Sequence, residues 1–208
     1  RRAPAGGSAI VDEEVVTGKT PRDVRQAGVA HIPEDRLTNG LSLSSSIDDN
    51  LIVDRFFKPP FKKGLIIDQQ VVENNGRELI EKFGILTPSG ELPVSSLSGG
   101  NMQKVVVARE FSSNPKILIA AQPTRGIDVG ATEFIRKQLV KKRTDGTAVL
   151  LVSADLSEVM SLSDRIITMF EGQITGVFPD ASKVEEEELG YYMLGVKRQT
   201  VEEMEALL

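Results

Sequence analysis

The chain contains no cysteine, which removes disulfides, thiolate metal sites and a cysteine nucleophile from consideration. That absence fits a reducing compartment, so the cytoplasm is the expected setting. No apolar run approaches the roughly 18 residues of a membrane-spanning helix, and the N-terminus lacks the apolar core of a secretion signal. Membrane contact is therefore expected through a partner. An excess of positive charge is missing too. With 25 Lys+Arg against 30 Asp+Glu the net charge is −5, which argues against nucleic acid as the main partner. Histidine occurs once, at His31 in a short apolar run, where a core or edge position is expected rather than a catalytic base. What is present, 208 residues with 40% hydrophobic and 26% charged, suits a globular protein able to bury a core. The sequence opens on Arg1 in mid-pattern, not on Met, and reads as a piece of something longer.

One stretch stands out. Leu97-Ser98-Gly99-Gly100-Asn101-Met102-Gln103-Lys104 is a Ser-Gly-Gly turn running directly into the helical pattern Val105 to Phe111. Ser98 can cap the first helical turn, and two glycines let a ligand approach the backbone. Free amides and the positive helix end then face whatever docks there, which suits a phosphate. The bland reading of the same residues is an ordinary capped helix start.

The rest of the chain alternates. Ser8 to Val11 and Val15-Val16 suggest a hairpin, and Thr20-Pro21 with Gly28 brackets a short helix. Val29 to Ile32 is a brief buried strand stopped by Pro33, followed by polar Glu34-Asp35-Arg36 and the turn Thr38-Asn39-Gly40. From Ser46 to about Gly84 the pattern is helical, broken at Pro59-Pro60, with Gln69 to Phe83 as its longest amphipathic segment. Thr87 to Pro93 is a stiff linker that would aim the Ser98 turn. Lys116 to Ala121 and Thr147 to Ser153 read as strands buried on both faces, with helices from about Ala131 to Arg143 and from Leu156 to Leu162. Arg165 to Phe170 and Gln173 to Phe178 are further strands. This is the α/β signature. From Asp180 the chain turns acidic, with Glu185 to Glu188 and a last helical stretch from Val201 to Leu208, and a partly mobile tail is expected.

Taken together, the Ser98 turn, the strand ending Ala121-Gln122-Pro123-Thr124, and the Gly126-Ile127-Asp128 turn resemble the nucleotide-binding domain of ABC transporters. Leu97 to Asn101 resembles the family's signature motif. Ala121 to Thr124 resembles its Walker B end, Gly126 to Asp128 its D-loop, and Ser153-Ala154-Asp155 lies at its switch-histidine position. His31 to Arg36 and Gly100 to Val105 narrow the likeness to the second, C-terminal ATPase domain of sugar and nucleoside importers, over roughly residues 5–197. The resemblance implies an α/β core of mostly parallel sheet flanked by helices at 1–37 and 96–180, after an N-terminal hairpin remnant. It also implies a helical subdomain at 38–95 and leaves an acidic C-terminal tail at 181–208. ATP and Mg²⁺ are the implied ligands of the intact assembly, with none held tightly by this piece alone. The implied partners are a second ATPase domain, carried on the same full-length chain, and membrane permease subunits fed by a solute-binding protein. Its implied place is peripheral, on the cytoplasmic side of the membrane.

The departures from that pattern carry information. No Gly-x-x-x-x-Gly-Lys-Ser/Thr occurs, and by the family order such a loop would precede residue 1. Ala121 stands where the resemblance implies the Mg²⁺ carboxylate, and an alanine offers no oxygen, so no metal site is expected. Gln122 stands at the position of the base; an amide can orient a water but cannot take its proton. Ala154 replaces the switch histidine, and Glu34 falls at the Q-loop position. Glu34, Asp35 and Arg36 are then expected to sense nucleotide and touch the membrane subunit, and Arg125 and Asp128 to act across the domain pair. Ser98, Gly99, Gly100 and Asn101 remain nearly complete, with Asn101 for the usual Gln. In this family each ATP lies between one domain's P-loop and the other's signature turn. The expected role is therefore to serve the partner's ATP in trans while the chain's own site is degenerate, the alternative being a purely structural or regulatory domain. Asn101-Met102 and Ala120-Ala121-Gln122 lean toward a nucleoside rather than a sugar importer.

Overall fold

The structure, a computed structural model, describes residues 6–207; residues 1–5 and Leu208, at the two ends of the expected core and last helix, lie outside the described residues. Two compact units divide between Leu150 and Leu151.

The first unit opens with a hairpin of β1 (Ile10–Val11) and β2 (Glu14–Val15), paired antiparallel with Ile10 opposite Val15. Next comes α1 (Pro21–Gln26), whose capping box pairs the Thr20 side chain with the Asp23 amide and the Asp23 carboxylate with the Thr20 amide. Proline at its first position costs nothing there, because that N–H has no helical partner. Strand β3 (Val29–Ile32) follows, then a π-type turn, Arg36–Gly40, and the short helix α2 (Ile47–Ile52) capped by Ser46.

Between α2 and the next helix the expected helical pattern, broken at Pro59-Pro60, gives way to a small antiparallel hairpin, β4 (Lys62–Lys63) and β5 (Ile66–Ile67). Helix α3 (Gln69–Phe83) starts at an Asp68 cap and ends on Gly84 in the left-handed region, φ 57°. Val72, Leu79 and Phe83 form its buried face.

Helix α4 (Gly99–Ser112) is buried without a break from Val105 to Phe111. A helix packed on all sides needs no polar stripe, which is why its sequence shows so little amphipathic pattern. It packs against α2, α3, β3 and α5 (Val129–Thr144). Within it Glu110 is fully buried and accepts hydrogen bonds from Arg25 Nη1 at 2.8 Å and Nη2 at 2.9 Å, Arg109 Nε at 2.9 Å and the His31 amide at 3.1 Å. Burial pushes this carboxyl up, but the Arg25 hydrogen bonds and the Arg109 and Arg25 charges outweigh it and hold it below the usual carboxylate range. Arg109 in turn donates to Gly40 O at 2.8 Å, so one ionic cluster joins α1, β3, α4 and the π-type turn.

Strand β6 (Ile117–Ala121) lies parallel to β3, with Val29 opposite Ile117 and Ile32 opposite Ala120. The order is β3-β6-β7, β7 being Ala148–Val152. Leu118 and Ala120 are fully buried while their neighbours in β6 are half-buried, so one face of the strand carries more of the core than the other. Strand β7 departs further from the expectation of full burial. Leu150 is 56% and Val152 51% exposed, and with Ala148 they form one exposed face of the strand.

In the second unit, α6 (Leu156–Leu162) precedes β8 (Ile166–Phe170) and β9 (Gln173–Phe178), which pair antiparallel as a separate sheet. The acidic segment beyond residue 181 is folded. Helix α7 (Glu186–Met193) buries Leu189 against Ile166, Phe178 and Ala181, and the rings of Phe178 and Tyr192 meet edge to face. Its glutamates lie in the first turn, where they complement the helix dipole. Helix α8 (Val201–Glu205) closes the described chain with a Thr200–Glu203 capping box.

Candidate functional site

The Ser98 turn is a built helix start. The Ser98 hydroxyl oxygen accepts from the Asn101 amide at 3.4 Å and from Asn101 Nδ2 at 3.0 Å. With its lone pairs occupied by two donors, its own hydrogen is left to donate outward, and the first-turn amides have no helical acceptor. Asn101 Oδ1 accepts from the Leu86 amide at 3.0 Å, so this side chain ties the end of the α3 segment to the turn. Gly100 is needed for space. A Cβ there would lie 2.7 Å from Asp128 Oδ2 and 3.0 Å from the Ala131 Cβ.

Asp128 caps α5, accepting from the Ala131 amide at 2.9 Å. The preceding turn is held from the other side by Arg36, which donates from Nη1 to Arg125 O at 2.9 Å and from Nη2 to Gly126 O at 3.1 Å. Arg36 Nη2 also lies 3.0 Å from where a Gly99 Cβ would be. Arg125 pairs with Glu34. Asp35 takes no part in that contact; it caps the π-type turn, accepting from the Leu37 amide at 2.9 Å and Thr38 Oγ1 at 2.6 Å. The Thr38 hydrogen bonds hold its carboxyl below the usual range. The structure thus brings Ser98 to Gly100, Asp128, Glu34 and Arg36 into one cluster.

The linker that aims the turn is fastened to α2. The Ile47 amide donates to Leu92 O and the Asp48 amide to Gly90 O, both at 3.0 Å. The Asp48 side chain is wedged beside Gly90, where a Cβ would lie 2.1 Å from Oδ1, and that oxygen has no hydrogen-bond partner. Burial, reinforced by Asp49, Glu73 and Glu91 and opposed by Arg77, pushes this carboxyl up to about 6.

At the end of β6, Ala121 is half-buried and presents only a methyl group. Gln122 follows in the left-handed region, φ 48°. The backbone here is positioned by Gln103, buried on α4, which donates to Pro123 O at 2.8 Å. Among the described residues no group of three His, Cys, Asp or Glu side chains is arranged to hold a metal, and the donor set at this strand end does not fit Mg²⁺. Ala154 belongs to the second unit, exposed, one residue before Asp155, which caps α6. His31 sits in β3 opposite Ile119, its imidazole held below its ordinary value by burial against the pull of Glu110.

Sequence reasoning missed a groove of about 910 Å³ on the first unit. Its lining includes Arg22, Arg25, Thr38, Asn39, Arg55 and Phe57, and the Arg22 guanidinium stacks on the Phe57 ring at 3.7 Å. The signal available was the run Arg55-Phe56-Phe57-Lys58, in which two aromatic rings are flanked by cations just before a proline pair.

The chain is 40% identical over 189 residues to the nucleoside import ATP-binding protein NupA of Lactococcus lactis, covering 91% of this chain and 37% of that protein. It is 39% identical over 194 residues to the guanosine import ATP-binding protein NupO of Bacillus subtilis, covering 93% and 38%. To the ribose import ATP-binding protein RbsA of Shouchella clausii it is 35% identical over 189 residues, covering 91% and 37%. It therefore spans less than two-fifths of the length of these relatives. No protein-family model matches. Among solved structures, the dimeric post-hydrolysis form of the ATP-binding cassette MJ0796 bound to ADP and Pi superposes with a TM-score of 0.70 at 20% identity, over 85% of this chain and 74% of that one. The ADP conformation of the cassette MJ1267 gives 0.63 at 20% identity, over 94% and 74%. The chain has the fold of the ATP-binding cassettes, and along nine-tenths of its length it is similar in sequence to the ATP-binding proteins of nucleoside and sugar importers.

Proposed function

We propose that this chain is the second cassette of an import ATP-binding protein for nucleosides or sugars, and that its Ser98 turn closes over an ATP held by the partner cassette. The observation that carries the reading is the unequal furnishing of two places in the first unit. The Ser98 turn offers an outward hydroxyl, free amides and a helix N-terminus, whereas the end of β6 offers a methyl and an amide. An anion held elsewhere can use the first, but a hydrolytic site cannot be built on the second. Hydrolysis in the assembly then belongs to the partner's own strand end, with this chain contributing positive charge and hydrogen-bond donors to the phosphates.

Coupling follows a short path in this reading. Arg36 grips the Gly126 turn, which moves with the partner's nucleotide, and opens the π-type turn whose Thr38, Asn39 and Gly40 line the groove. A permease segment seated in the groove would feel that movement. The nucleoside preference is supported by the names of the relatives NupA and NupO, while RbsA is named for ribose.

The test is a pair of substitutions in a complete ATP-binding protein carrying this sequence. Ser98→Arg places a bulky side chain over the amides and should reduce ATP hydrolysis at least ~100-fold, as expected where transition-state donors are lost. Gln122→Ala should leave it within about two-fold. The reverse pattern would overturn the reading, and an inert Ser98→Arg would favour a purely structural domain.

A further inference from the structure

The β4–β5 hairpin exposes apolar side chains that no part of the cassette chemistry explains. Leu65 at its tip is 96% exposed and Ile66 75%, with Ile67 at 44%. Its base is anchored. Phe61 is buried with Ile52 and Val72, the Asp68 amide donates to Phe61 O at 2.9 Å, and the Lys62 amide donates to Lys58 O at 3.1 Å. Gly64 with φ 66° and Leu65 make the two-residue turn, so the ribbon stands out from its mount with the apolar tip leading. Lys62 pairs with Ile67 and Lys63 with Ile66, which puts one lysine and one isoleucine on each face. Lys58 adds a third cation at the base, in a chain whose net charge is −5.

We propose that this hairpin docks on an anionic lipid surface, with Leu65 and Ile66 entering between headgroups and Lys58, Lys62 and Lys63 facing the negative charge. Charge argues for the occupant: the hairpin gathers lysines against the overall sign of the chain, so it is attracted to a surface that repels the remainder. Shape argues likewise. The tip is convex and apolar, and lipid needs no matching pocket to receive it. The proposal adds a direct lipid contact to the expectation that membrane contact comes through a partner, and it is independent of the role of the Ser98 turn.

The test is co-sedimentation of the 208-residue chain with phosphatidylcholine vesicles and with vesicles also containing phosphatidylglycerol, without nucleotide. The expected result is binding to the anionic vesicles alone. It should weaken about five-fold for each of Lys62→Gln and Lys63→Gln, and at least ~10-fold in Leu65→Ser/Ile66→Ser. These positions lie on the hairpin beyond its buried base, and circular dichroism checks that each variant remains folded. The chain has no tryptophan, so Leu65→Trp gives a single tryptophan emission that should shift to the blue only with anionic vesicles. Equal binding to both vesicle types, undiminished binding by the Leu65→Ser/Ile66→Ser variant, or binding to a permease protein with none to vesicles overturns the proposal.

Discussion

The turn at Ser98 and the strand end at Ala121 are positioned by the same helix. At its start α4 carries the cap, and one turn on its Gln103 side chain fixes the backbone at Pro123. Scaffold quality does not separate them. At the turn, however, the side chains are specified by contacts on several sides: Gly100 against Asp128, Asn101 against Leu86, Gly126 against Arg36. At the strand end the backbone is held, and Ala121 and Gln122 present a methyl group and an amide. A site that must receive a ligand from elsewhere has to keep its donors aimed, since a misplacement of about 1 Å forfeits electrostatic stabilisation. In the role proposed for it, the strand end has only to complete a sheet. On the proposed reading, one helix positions two places of which only the turn has donors to keep aimed.

Two perturbations should widen that contrast most. Gly100→Ala forces a methyl to within 2.7 Å of Asp128 Oδ2, so either the α5 cap or the turn must move. We expect a loss of about 1–3 kcal/mol by chemical denaturation, with hydrolysis in the assembled protein falling at least ~10-fold as the donors shift. Asp48 comes next, because it supports the linker into the turn. Its folded carboxyl is raised to about 6 from 3.8. The folded state therefore binds more protons than the unfolded one between those values, and stability falls as pH rises through that window. Moving from pH 4 to pH 7 should cost on the order of 1–3 kcal/mol at this residue, and Asp48→Asn should flatten that part of the profile. If thermal unfolding of the Asn variant keeps the same pH slope, the wedge beside Gly90 does not govern the linker.

Much of this was legible beforehand where one stretch of chain determines its own structure. Thr20-Pro21 with Gly28, the amphipathic run Gln69 to Phe83, and the Ser98 cap ahead of Val105 to Phe111 are local signals of cap, period or stop, and the helices follow them. The β4–β5 hairpin escaped because strands of two residues have no period to detect and sit beside a proline pair. The exposure of β7 escaped because an apolar run reports the capacity for burial, while burial depends on sheet neighbours. Of the site, Ser98 to Asn101, Asp128 and the run Glu34 to Arg36 could be picked from the sequence. The grip of Arg36 could not, because its acceptors lie 89 and 90 positions along the chain and are backbone oxygens, which leave no signature.

That grip gives the next smaller effect. Arg36→Ala removes two charge-assisted hydrogen bonds from the Gly126 turn, at a half-buried site, and should cost about 1–2 kcal/mol. Amide exchange at Gly126 to Asp128 should rise while exchange in β6 remains unchanged; equal loosening of both would mean that the two places are one cooperative unit.

The smallest effect tests the strand end itself. Gln122 occupies the left-handed region at φ 48°, where a Cβ crowds the following carbonyl and a non-glycine residue is strained. Gln122→Gly removes that strain but adds freedom to the unfolded chain, so the net gain should be only about 0.5 kcal/mol in a denaturant titration. If the Gln side chain has no chemical duty, the glycine variant should combine this gain with hydrolysis within about two-fold of the parent. A stabilised variant that has lost activity would show instead that the strain is kept for chemistry, the pattern found where backbone outliers serve a site. The strand end would then have to be counted as furnished, and the contrast with the Ser98 turn would fail.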